Sequence, residues 1–538
     1  MPKLTVIVIL LLFINVTLLA QTAVAPAAGS GTEEDPYQIE TLENLYWISD
    51  NNNEWDKHYI QTADIYASET ENWFDGAGWQ PIGEEMHPFI GVYDGQDYVI
   101  DGIYINRAET NFIGLFGTVM FGSIINLGLI NVDITGDNLV GGLVGDSPDL
   151  TVENCFSSGS INGVSNVGGL IGLSGGTVKN SYSSAVVTGD NNVGGLVGSS
   201  FTGSIENSYS QGIVTGNSFT IGGLVGLNSM ASIYSCHNES TVSGDNSVGG
   251  LVGSNLGGSV IEGSFNSGDV SGVSNVGGLI GNSTGSAVNL SYNSGEVSGE
   301  EAVGGLAGHI TTTSINNSYN IGSVVADEYV GGLIGIIEYA SPVTHCYSNG
   351  SVIGVNNSGG LIGHIGNDPE VINSYWDTVT SGQSTSAGGE GRTTEEMTYP
   401  YAQNTYMDWD FEEIWAADED YSVNDGYPYL QDLIPPVSAD DDMLVSATPV
   451  KVRNYPNPFN PETTIEFSLS SAAAVSVSIY NIKGQKIKDL FSDHLPAGEH
   501  SMVWSGRDNR DRYVASGVYY YRITTGNDST VKKMLLLK

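Results

Sequence analysis

The sequence contains few basic residues for its length. Its 538 residues include 17 Lys and Arg against 61 Asp and Glu, which gives a formal net charge of −44. Proteins that bind nucleic acid need clustered Lys and Arg to neutralise phosphates, and docking on an anionic membrane also depends on basic residues. The composition therefore excludes a nucleic-acid-binding protein and argues against docking on an anionic membrane surface.

The basic residues are also unevenly distributed. Only five precede residue 451, whereas twelve lie in 451–538 beside eight Asp and Glu. The last segment thus has a net charge of about +4, and the rest of the chain has about −48. We infer that two physically different parts share one chain.

Long apolar runs are almost absent, and the only one lies at the start of the chain. Lys3 and the apolar stretch 4–20 have the charged and hydrophobic regions of a secretory signal peptide, and small residues between Ala20 and Ala28 offer cleavage points. The alternative is a transmembrane anchor, but about 17 residues are short for a bilayer span. We assign 1–25 as a signal peptide and expect a secreted protein with no membrane span after its removal.

A pattern of about 27 residues repeats through the middle of the chain. The motif Gly-Gly-Leu-(Val/Ile/Ala)-Gly recurs nine times at steps of 26 to 28 residues, and a degenerate copy at 113–117 precedes the first. The copies begin at Gly141, Gly168, Gly194, Gly222, Gly249, Gly277, Gly304, Gly331 and Gly359. So many matched copies indicate a repeat architecture.

The segments within each repeat are short, rich in Val, Ile, Tyr and Ser, and separated by Gly, Asn and Asp, which is typical of strands and turns. No helical periodicity is present. The pattern predicts a mainly β fold: a parallel β-helix, or β-solenoid, of about ten coils, each with three short strands, stacked about 4.8 Å apart. The glycine pairs are expected to turn corners at positive φ and to allow neighbouring coils to approach closely.

These repeats resemble the GLUG motif, named for its glycine-leucine-glycine pattern. The motif occurs in bacterial surface and adhesin-like proteins and in some secreted immunoglobulin A proteases. The resemblance covers 111–375 and implies a β-solenoid, although the catalytic machinery of a protease, such as a His-Glu-x-x-His motif, is missing.

The segments on either side of the repeats are predicted to cap the solenoid, because an open end would expose a pairable edge and a bare core. All eight Trp lie outside 80–375, and large aromatic residues suit end plugs. We assign 26–110 as an N-terminal cap with lead-in coils and 376–434 as a C-terminal cap.

A proline-bounded linker, 435–450, leads to a domain at 451–538 with short alternating strands and turn signals, which suggests a small immunoglobulin-like β-sandwich. The segments at 454–461, 480–484, 496–498, 515–519 and 532–536 resemble the C-terminal sorting domain of bacterial type IX secretion. The resemblance implies a sorting motif that includes Gly517, Tyr519, Lys532 and Lys533. It also implies that the type IX secretion machinery is a partner, with the protein then attached to the outer cell surface or released.

The three cysteines occupy one position of the repeat, where other copies carry Ser. Cys155, Cys236 and Cys346 are three and four coils apart, about 14 and 19 Å by the strand spacing, whereas a disulfide needs Cα atoms within about 7 Å. Disulfides between them are therefore excluded.

Four histidines are candidate zinc ligands. His237 and His345 each adjoin a cysteine, but neighbours on a strand face opposite ways. His309 and His364 share a repeat position two coils apart, about 10 Å, which is too far to share one metal ion. We expect no zinc site and no cofactor.

Three pairs of acidic residues are predicted to stack in adjacent coils, about 5 Å apart. The chemistry of such pairs allows a retaining glycosidase, a Ca²⁺ site of oxygen ligands, or simply a solvated acidic corner, which is the interpretation we favour. The Ca²⁺ candidates are Glu300, Glu301, Asp327 and Glu328, and the third pair is Asp269 with Glu296.

A polysaccharide lyase is excluded because such enzymes need cationic groups at the reacting carbon, and Lys179 is the only Lys or Arg between 111 and 375. We expect a non-catalytic, exported protein that binds an unidentified extracellular glycan or protein. The alternatives are a structural stalk or surface-layer protein and, more remotely, a glycoside hydrolase.

One further column of the repeat bears on binding. It consists of the aromatic residues Phe156, Tyr182, Tyr209, His237, Phe265, Tyr292, Tyr319, Tyr347 and Tyr375. We expect this column to stack inside the solenoid; if it faced solvent instead, it would offer a carbohydrate-binding surface.

Overall fold

The structure of the protein is a computed structural model. It describes residues 21–367, 369–433, 452–455, 461–469, 473–481, 486–496, 498–507, 509–510, 512–514, 517–525 and 528–536. Residues 1–20 of the predicted signal peptide and the linker 435–450 lie outside the described residues. The chain divides into two units, Met1–Ile434 and Pro435–Lys538.

The first unit is a parallel β-solenoid of about eleven turns, close to the ten that the repeats predict. Each strand pairs in parallel with its counterpart one coil later, so that Val187 lies beside Val214 and Val214 lies beside Val242. Equivalent repeat positions therefore form columns along the solenoid.

The coils between residues 171 and 304 contain five short strands each rather than the three expected, whereas the two coils before them contain three and the two after them four. In one coil these are Val197–Phe201, Ser204–Glu206, Tyr209–Ser210, Ile213–Gly216 and Phe219–Gly222. The first two belong to one long sheet and the other three to a second.

The first sheet has 21 strands. They are Tyr37–Ile39, His58–Gln61, Val92–Asp94, Phe116–Ile125, Val144–Glu153, Ile171–Ser174, Thr177–Lys179, Val197–Phe201, Ser204–Glu206, Val225–Ser229, Ser232–Tyr234, Val252–Leu256, Val260–Glu262, Ile280–Thr284, Ala287–Asn289, Ala307–Thr311, Ser314–Asn316, Ile334–Glu338, Val343–Thr344, Ile362–Ile365 and Val371–Ile372.

The second sheet has 28 strands. They are Ile65–Tyr66, Val99–Asp101, Tyr104–Asn106, Gly128–Thr135, Asn138–Gly141, Phe156–Asn162, Ser165–Gly168, Tyr182–Ser183, Val186–Gly189, Asn191–Gly194, Tyr209–Ser210, Ile213–Gly216, Phe219–Gly222, His237–Asn238, Thr241–Ser243, Asn246–Gly249, Phe265–Asn266, Val270–Ser271, Ser274–Gly277, Tyr292–Asn293, Val297–Ser298, Glu301–Gly304, Tyr319–Asn320, Val324–Gly331, Tyr347–Ser348, Val352–Gly359, Tyr375–Asp377 and Glu390–Arg392.

The motif glycines serve close packing rather than the predicted positive φ. A Cβ atom added to Gly222 would lie 1.9 Å from the carbonyl oxygen of Val225, so no side chain fits there. None of the motif glycines, all of which lie in the described region, has a positive φ. The left-handed corners are instead made mostly by other residues, such as Asn180 at φ 49° and Asn207 at φ 47°, because asparagine tolerates this conformation.

A helix at Leu42–Asp50 lies between the first two strands of the first sheet. The Thr41 side chain accepts a hydrogen bond from the Asn44 backbone N–H at 3.3 Å and so caps the helix. Leu45 and Ile48 are fully buried in the hydrophobic core that continues along the solenoid as far as Trp376. Short 3₁₀ helices occupy Asn52–Glu54 and Ser68–Gly76.

The segment 393–433 follows the last coil and folds back along the side of the solenoid. It contains a short helix, Thr394–Met397, an antiparallel pair of strands, Trp415–Ala416 and Tyr429–Leu430, and a 3₁₀ turn at Gln431–Leu433. Its aromatic residues form a second cluster with the last rings of the aromatic column. We call this segment the side strap.

The second unit is an immunoglobulin-like β-fold with two antiparallel sheets. Val452–Tyr455, Thr463–Leu469 and Gly498–Trp504 form one, and Lys486–Leu495, Ala473–Asn481, Gly517–Thr525 and Asp528–Leu536 form the other. Phe467, Val477, Trp504 and Tyr521 are fully buried in its core. No helix in the described part of the chain is long and apolar enough to cross a bilayer.

Candidate binding surface

The aromatic column forms a continuous stack of rings. From Phe156 to Tyr347, successive ring centroids lie 4.8 to 5.0 Å apart with planes inclined by only 4 to 8°. The spacing follows the strand separation, because each ring sits at the same position of consecutive coils. We call this stack the aromatic ladder.

The aromatic ladder lies on the outside of the solenoid, so the prediction of an inward stack was wrong. The rings from Phe156 to Tyr292 are half-buried, and the residue that follows each ring is fully buried. Neighbours on a strand face opposite ways, and here the polar neighbour is the one that points inward.

The inward neighbours are satisfied by pairing with one another. The side-chain amide of Asn238 donates to Oδ1 of Asn266, that of Asn266 to Asn293, and that of Asn293 to Asn320, at 2.7 to 2.8 Å. A buried polar group is tolerated when it is fully hydrogen-bonded. This asparagine ladder explains why polar side chains occupy the interior and leave the outside to the aromatic rings.

Stacking determines what the aromatic ladder can offer to a ligand. Each ring within the stack, such as Tyr209 or Phe265, has neighbouring rings against both of its faces. Its edge is therefore the part directed outward. A flat sugar packs against an exposed ring face, whereas an aromatic or apolar side chain packs well against a ring edge, because ring edges carry positive partial charge.

The side strap shows how the chain itself uses these ring edges. Trp415 lies 6.0 Å from Tyr319 and 6.1 Å from Tyr347, with planes inclined by 50 to 55°. Tyr406 contacts Tyr375 edge to face at 5.6 Å. These contacts bury Tyr319 and Tyr347, the last two rings of the ladder, together with Tyr375, and Tyr292 packs against the same cluster. The rings from Phe156 to Phe265 lie outside that cluster.

The strap and the solenoid enclose a cavity of about 210 Å³ where the covered part of the ladder ends. The solenoid contributes the corner residues beside three ladder rings, and the strap contributes an apolar wall and one carboxylate. The lining consists of Tyr234, Ser235, Glu262, Gly263, Leu290, Glu413, Ile414, Leu430, Gln431 and Leu433. Sequence reasoning missed this site because strap residues some 150 positions away complete it.

His237 is the one titratable imidazole within the ladder. It is stacked between Tyr209 and Phe265 at 4.8 and 4.9 Å, and burial lowers the pKa of its imidazole to about 4. Glu239 approaches its Nε2 atom at 3.9 Å. The ring is therefore neutral at neutral pH and behaves as one more aromatic member of the stack.

The cysteine column is fully buried, which the sequence left open. The backbone N–H of Cys236 donates to the hydroxyl of Ser264 at 3.1 Å, and the Ser208 hydroxyl donates to the carbonyl of Glu206 at 2.7 Å. A small side chain with a polar tip thus links consecutive coils, which accounts for Ser and Cys at this position. Cys155, Cys236 and Cys346 are free thiols, and burial raises the pKa of each to about 12.

The predicted acidic pairs do stack in adjacent coils. Glu301 lies in register with Glu328, and the backbone N–H of Asp327 donates to the Glu300 carbonyl at 3.1 Å. Glu300, Glu301 and Asp327 are exposed and Glu328 is half-buried. Among the described residues, no group of three or more His, Cys, Asp or Glu is arranged to hold a metal ion.

The third acidic pair is held by the backbone. Oδ1 of Asp269 accepts a hydrogen bond from the Glu296 N–H at 3.1 Å, and both residues are exposed. Of the histidines, His309 approaches Glu338 at 3.6 Å and His364 packs against Tyr329 at 5.3 Å. His345 packs against Trp409 of the strap at 6.3 Å.

The residues predicted to form the sorting motif lie on the last two strands of the second unit. Gly517 pairs with Leu536 and Tyr519 with Met534, while Lys532 and Lys533 pair with Tyr521 and Tyr520. Tyr519 is buried and contacts Trp504 edge to face at 5.1 Å. Tyr519 therefore belongs to the domain core, and the two lysines lie on the final strand.

Comparison with known proteins identifies both parts of the chain. The GLUG motif matches residues 189–215 and 244–271, and the FlgD Ig-like domain matches residues 458–529. The chain therefore contains a GLUG-repeat β-solenoid followed by an immunoglobulin-like domain.

Two similar proteins match short stretches of the chain. Halomucin of Haloquadratum walsbyi is 37% identical over 150 residues, 27% of this chain and 2% of halomucin. A protein of Evansella cellulosilytica described as a Gly-rich membrane protein is 35% identical over 130 residues, 22% of this chain and 14% of that protein. The chain thus spans only a small part of either relative.

Among solved structures, a Bacteroides ovatus protein described as a candidate immunoglobulin A1 protease is 18% identical. The alignment covers 76% of this chain and 95% of that one, with a TM-score of 0.33. Likeness at this level gives no basis for assigning an activity.

Proposed function

We propose that this chain is exported to the outer cell surface and acts there as a non-catalytic binding rod for an extracellular polymer or a host surface. The single observation that carries the proposal is the outward aromatic ladder, whose half-buried rings from Phe156 to Phe265 lie outside the aromatic cluster of the strap. Contiguous exposed apolar surface is typical of interaction sites. The match to halomucin supports a place at the cell exterior.

The domain organisation in this proposal follows the sequence. The signal peptide directs export, 26–110 and 376–434 close and brace the solenoid at 111–375, and the linker 435–450 carries the domain at 451–538. The immunoglobulin-like fold of that domain and the placement of Gly517, Tyr519, Lys532 and Lys533 on its last strands support its role as a type IX sorting signal.

Deletion of 451–538 tests the export proposal directly. We expect the truncated protein to accumulate in the periplasm, while the full chain reaches the cell surface or the medium. Immunoblotting of periplasmic, surface and medium fractions measures the difference. Normal arrival of the truncated protein outside the cell would refute the sorting role.

The absence of catalysis is part of the same proposal. The acidic pairs that suggested a glycosidase lie on exposed surface rather than in a cleft. The two catalytic carboxyl groups of a glycosidase need different environments, so that one stays protonated as the acid while the other stays ionised. We expect no new reducing ends and no unsaturated products when the full chain is incubated with acidic or neutral polysaccharides.

A structural stalk remains the second candidate, favoured by the asparagine ladder. Hydrogen bonds from Asn238 through to Asn320 continue without a break along the interior and stiffen the rod. A stalk without a binding role would not need the aromatic ladder, so the effect of removing ladder rings on binding distinguishes the two candidates.

Binding of the full chain to glycan and host-protein arrays, with and without Ca²⁺, is the deciding experiment. The test variant is Tyr182→Ser with Tyr209→Ser, which removes two ladder rings. The matched control is Val186→Ser with Ile213→Ser, which removes 43% and 50% exposed apolar side chains on the same coils. We expect the test variant alone to lose binding; equal loss in both, or no binding by the full chain, would refute ladder-mediated recognition.

A further inference from the structure

We propose that the cavity between the side strap and the solenoid binds a Lys or Arg side chain of an extended partner peptide, with an aromatic residue two positions away in the peptide lying on the uncovered ladder. This inference rests on the proposed binding role and specifies its partner chemistry. It is carried by the shape of the cavity, its two carboxylates and the ring edges beside it.

The cavity has an apolar wall suited to the stem of a long cationic side chain. Leu290 of the solenoid faces Ile414, Leu430 and Leu433 of the strap across a volume of about 210 Å³. Lys and Arg bury their methylene stems against apolar surface while the charged head stays hydrated or paired. A volume of this size accommodates one such side chain.

Two carboxylates line the same cavity. Glu262 comes from the solenoid and Glu413 from the strap, and neither forms an ion pair within the described residues. Glu262 is half-buried and Glu413 is exposed, so both can receive a cationic head that enters from solvent.

The surroundings reinforce the preference for a cation. The segment 376–434 has thirteen Asp and Glu and a single basic residue, Arg392. Arg392 is already engaged by Glu390 at 2.6 Å. Charge of one sign around a binding site raises the local concentration of oppositely charged partners and speeds their association.

The aromatic ladder continues directly from the cavity. Phe265 and Tyr292 follow the lining residues Glu262 and Leu290 by three and two positions. Their edges are directed outward as those of Tyr319 and Tyr347 are, and Trp415 of the strap already packs on those two rings. The packing of Trp415 on these rings, one coil further along, is the contact that a partner's aromatic side chain would make with Phe265 and Tyr292.

The ladder geometry favours a peptide over a polysaccharide at this site. The faces of Phe265 and Tyr292 are occupied by adjacent rings, so pyranose stacking on a ring face is unavailable there. An extended peptide instead places alternate side chains at intervals of two residues, which allows a cationic residue in the cavity and an aromatic one on the ladder.

The test measures binding of the full chain to a short synthetic peptide in which Trp and Arg are two residues apart with Ser between them, so that both face the same side of an extended chain, by calorimetry at two salt concentrations. The test variant is Glu262→Gln with Glu413→Gln, and the control is Glu300→Gln with Glu301→Gln, which removes the same charge from exposed positions elsewhere. We expect the test variant to weaken binding by about tenfold and the control by less than about twofold.

Two further measurements distinguish binding in the cavity from nonspecific attraction to the acidic surface. Replacing Arg by the neutral isostere citrulline in the peptide should weaken binding as much as the test variant does. Gly263→Asn should also weaken it, because the same corner carries Asn at Asn180 and Asn207 with a similar positive φ, so the backbone tolerates Asn while its side chain narrows the cavity.

Several results would overturn the inference. They are equal loss in the test and control variants, undiminished binding of the citrulline peptide, or no binding of the Trp-Arg peptide at millimolar concentration. Retained binding to glycan or host-protein arrays with no peptide binding would refute this inference alone, whereas failure on the arrays together with peptide binding would refute the proposed ligand class.

Discussion

The indole Nε1–H of Trp415 donates a hydrogen bond to Oδ1 of Asn317 at 3.2 Å, across 98 residues of sequence. Asn317 is a left-handed corner of the solenoid, at φ 46°, and Trp415 is fully buried against the aromatic ladder. Together with the hydrogen bonds of Trp409 to the Asn373 carbonyl and of Tyr347 to the Pro428 carbonyl, this bond attaches the side strap to the last coils of the solenoid.

Replacing Trp415 tests that attachment. We expect Trp415→Ala to destabilise the strap by about 3–5 kcal/mol through loss of packing, and Trp415→Phe by about 1 kcal/mol through loss of the hydrogen bond. Faster hydrogen exchange of amides in 393–433, with unchanged exchange in the solenoid, is the expected signature. Met407→Ala, which alters a 47% exposed residue of the same segment, should have little effect; similar exchange in all three variants would contradict the strap assignment.

The asparagine ladder should dominate the stability of the central coils. Asn266→Ala removes the amide bonds to Asn238 and Asn293 and the two bonds to the Gly268 backbone, so that each of these buried groups loses a hydrogen bond. Unsatisfied buried polar groups cost about 1–3 kcal/mol each, so we expect a loss of about 3 kcal/mol or more in the urea unfolding of the solenoid. The exposed neighbour provides the control, Ser267→Ala; equal shifts for the two variants would show that the ladder adds little.

His237 should make the ladder sensitive to acid. Because its folded-state pKa is lowered to about 4 from an ordinary value near 6.5, the unfolded chain binds more protons between these values. Stability is therefore fully present above about pH 6.5 and is lost as the pH falls towards 4, by about 2–3 kcal/mol.

His237→Phe removes this titration while keeping an aromatic ring, as Phe265 does in the next coil. Urea unfolding at several pH values should show a smaller decline between pH 6.5 and 4 in the variant than in the parent chain. Parallel pH profiles would contradict the assignment of that decline to His237.

The start of the mature chain can be predicted more sharply than the sequence allows. The backbone N–H of Val24 donates to the Glu43 carbonyl at 3.1 Å, and the Asn44 side-chain amide donates to the Val24 carbonyl at 3.0 Å. Ala23 packs against the core. We therefore expect cleavage after Ala20 rather than at 25, which leaves Gln21 as the first residue; mass spectrometry of the exported protein decides, and a mature chain that begins at Pro26 would contradict the expectation.

The repeat positions show where sequence reasoning succeeds. The spacing of Gly194 and Gly222 predicted coils in parallel register, and the structure pairs these two residues directly. The stacking of Tyr182 on Tyr209 followed from the same periodicity. Such relations are local to the repeat, because each coil contacts its neighbours in the same way.

The direction of the aromatic ladder shows where sequence reasoning fails. Hydrophobicity alone favours Tyr209 inside and Asn238 outside, yet the structure has the reverse. A buried asparagine is unfavourable by itself and acceptable within a ladder of the same amide, and this cooperation appears only when coils are stacked. The Ser and Asn residues that follow each ring were the available signal.

The sequence by itself determined a β-solenoid with a period near 27 residues, an acidic and nearly Lys-free rod, and a separate C-terminal immunoglobulin-like domain. Only the tertiary structure decided which ring edges face solvent and which of them the side strap covers. The physical reason is that the first set of properties comes from pairing between identical neighbouring coils, whereas the second depends on contacts such as Trp415 with Asn317, which no local pattern encodes.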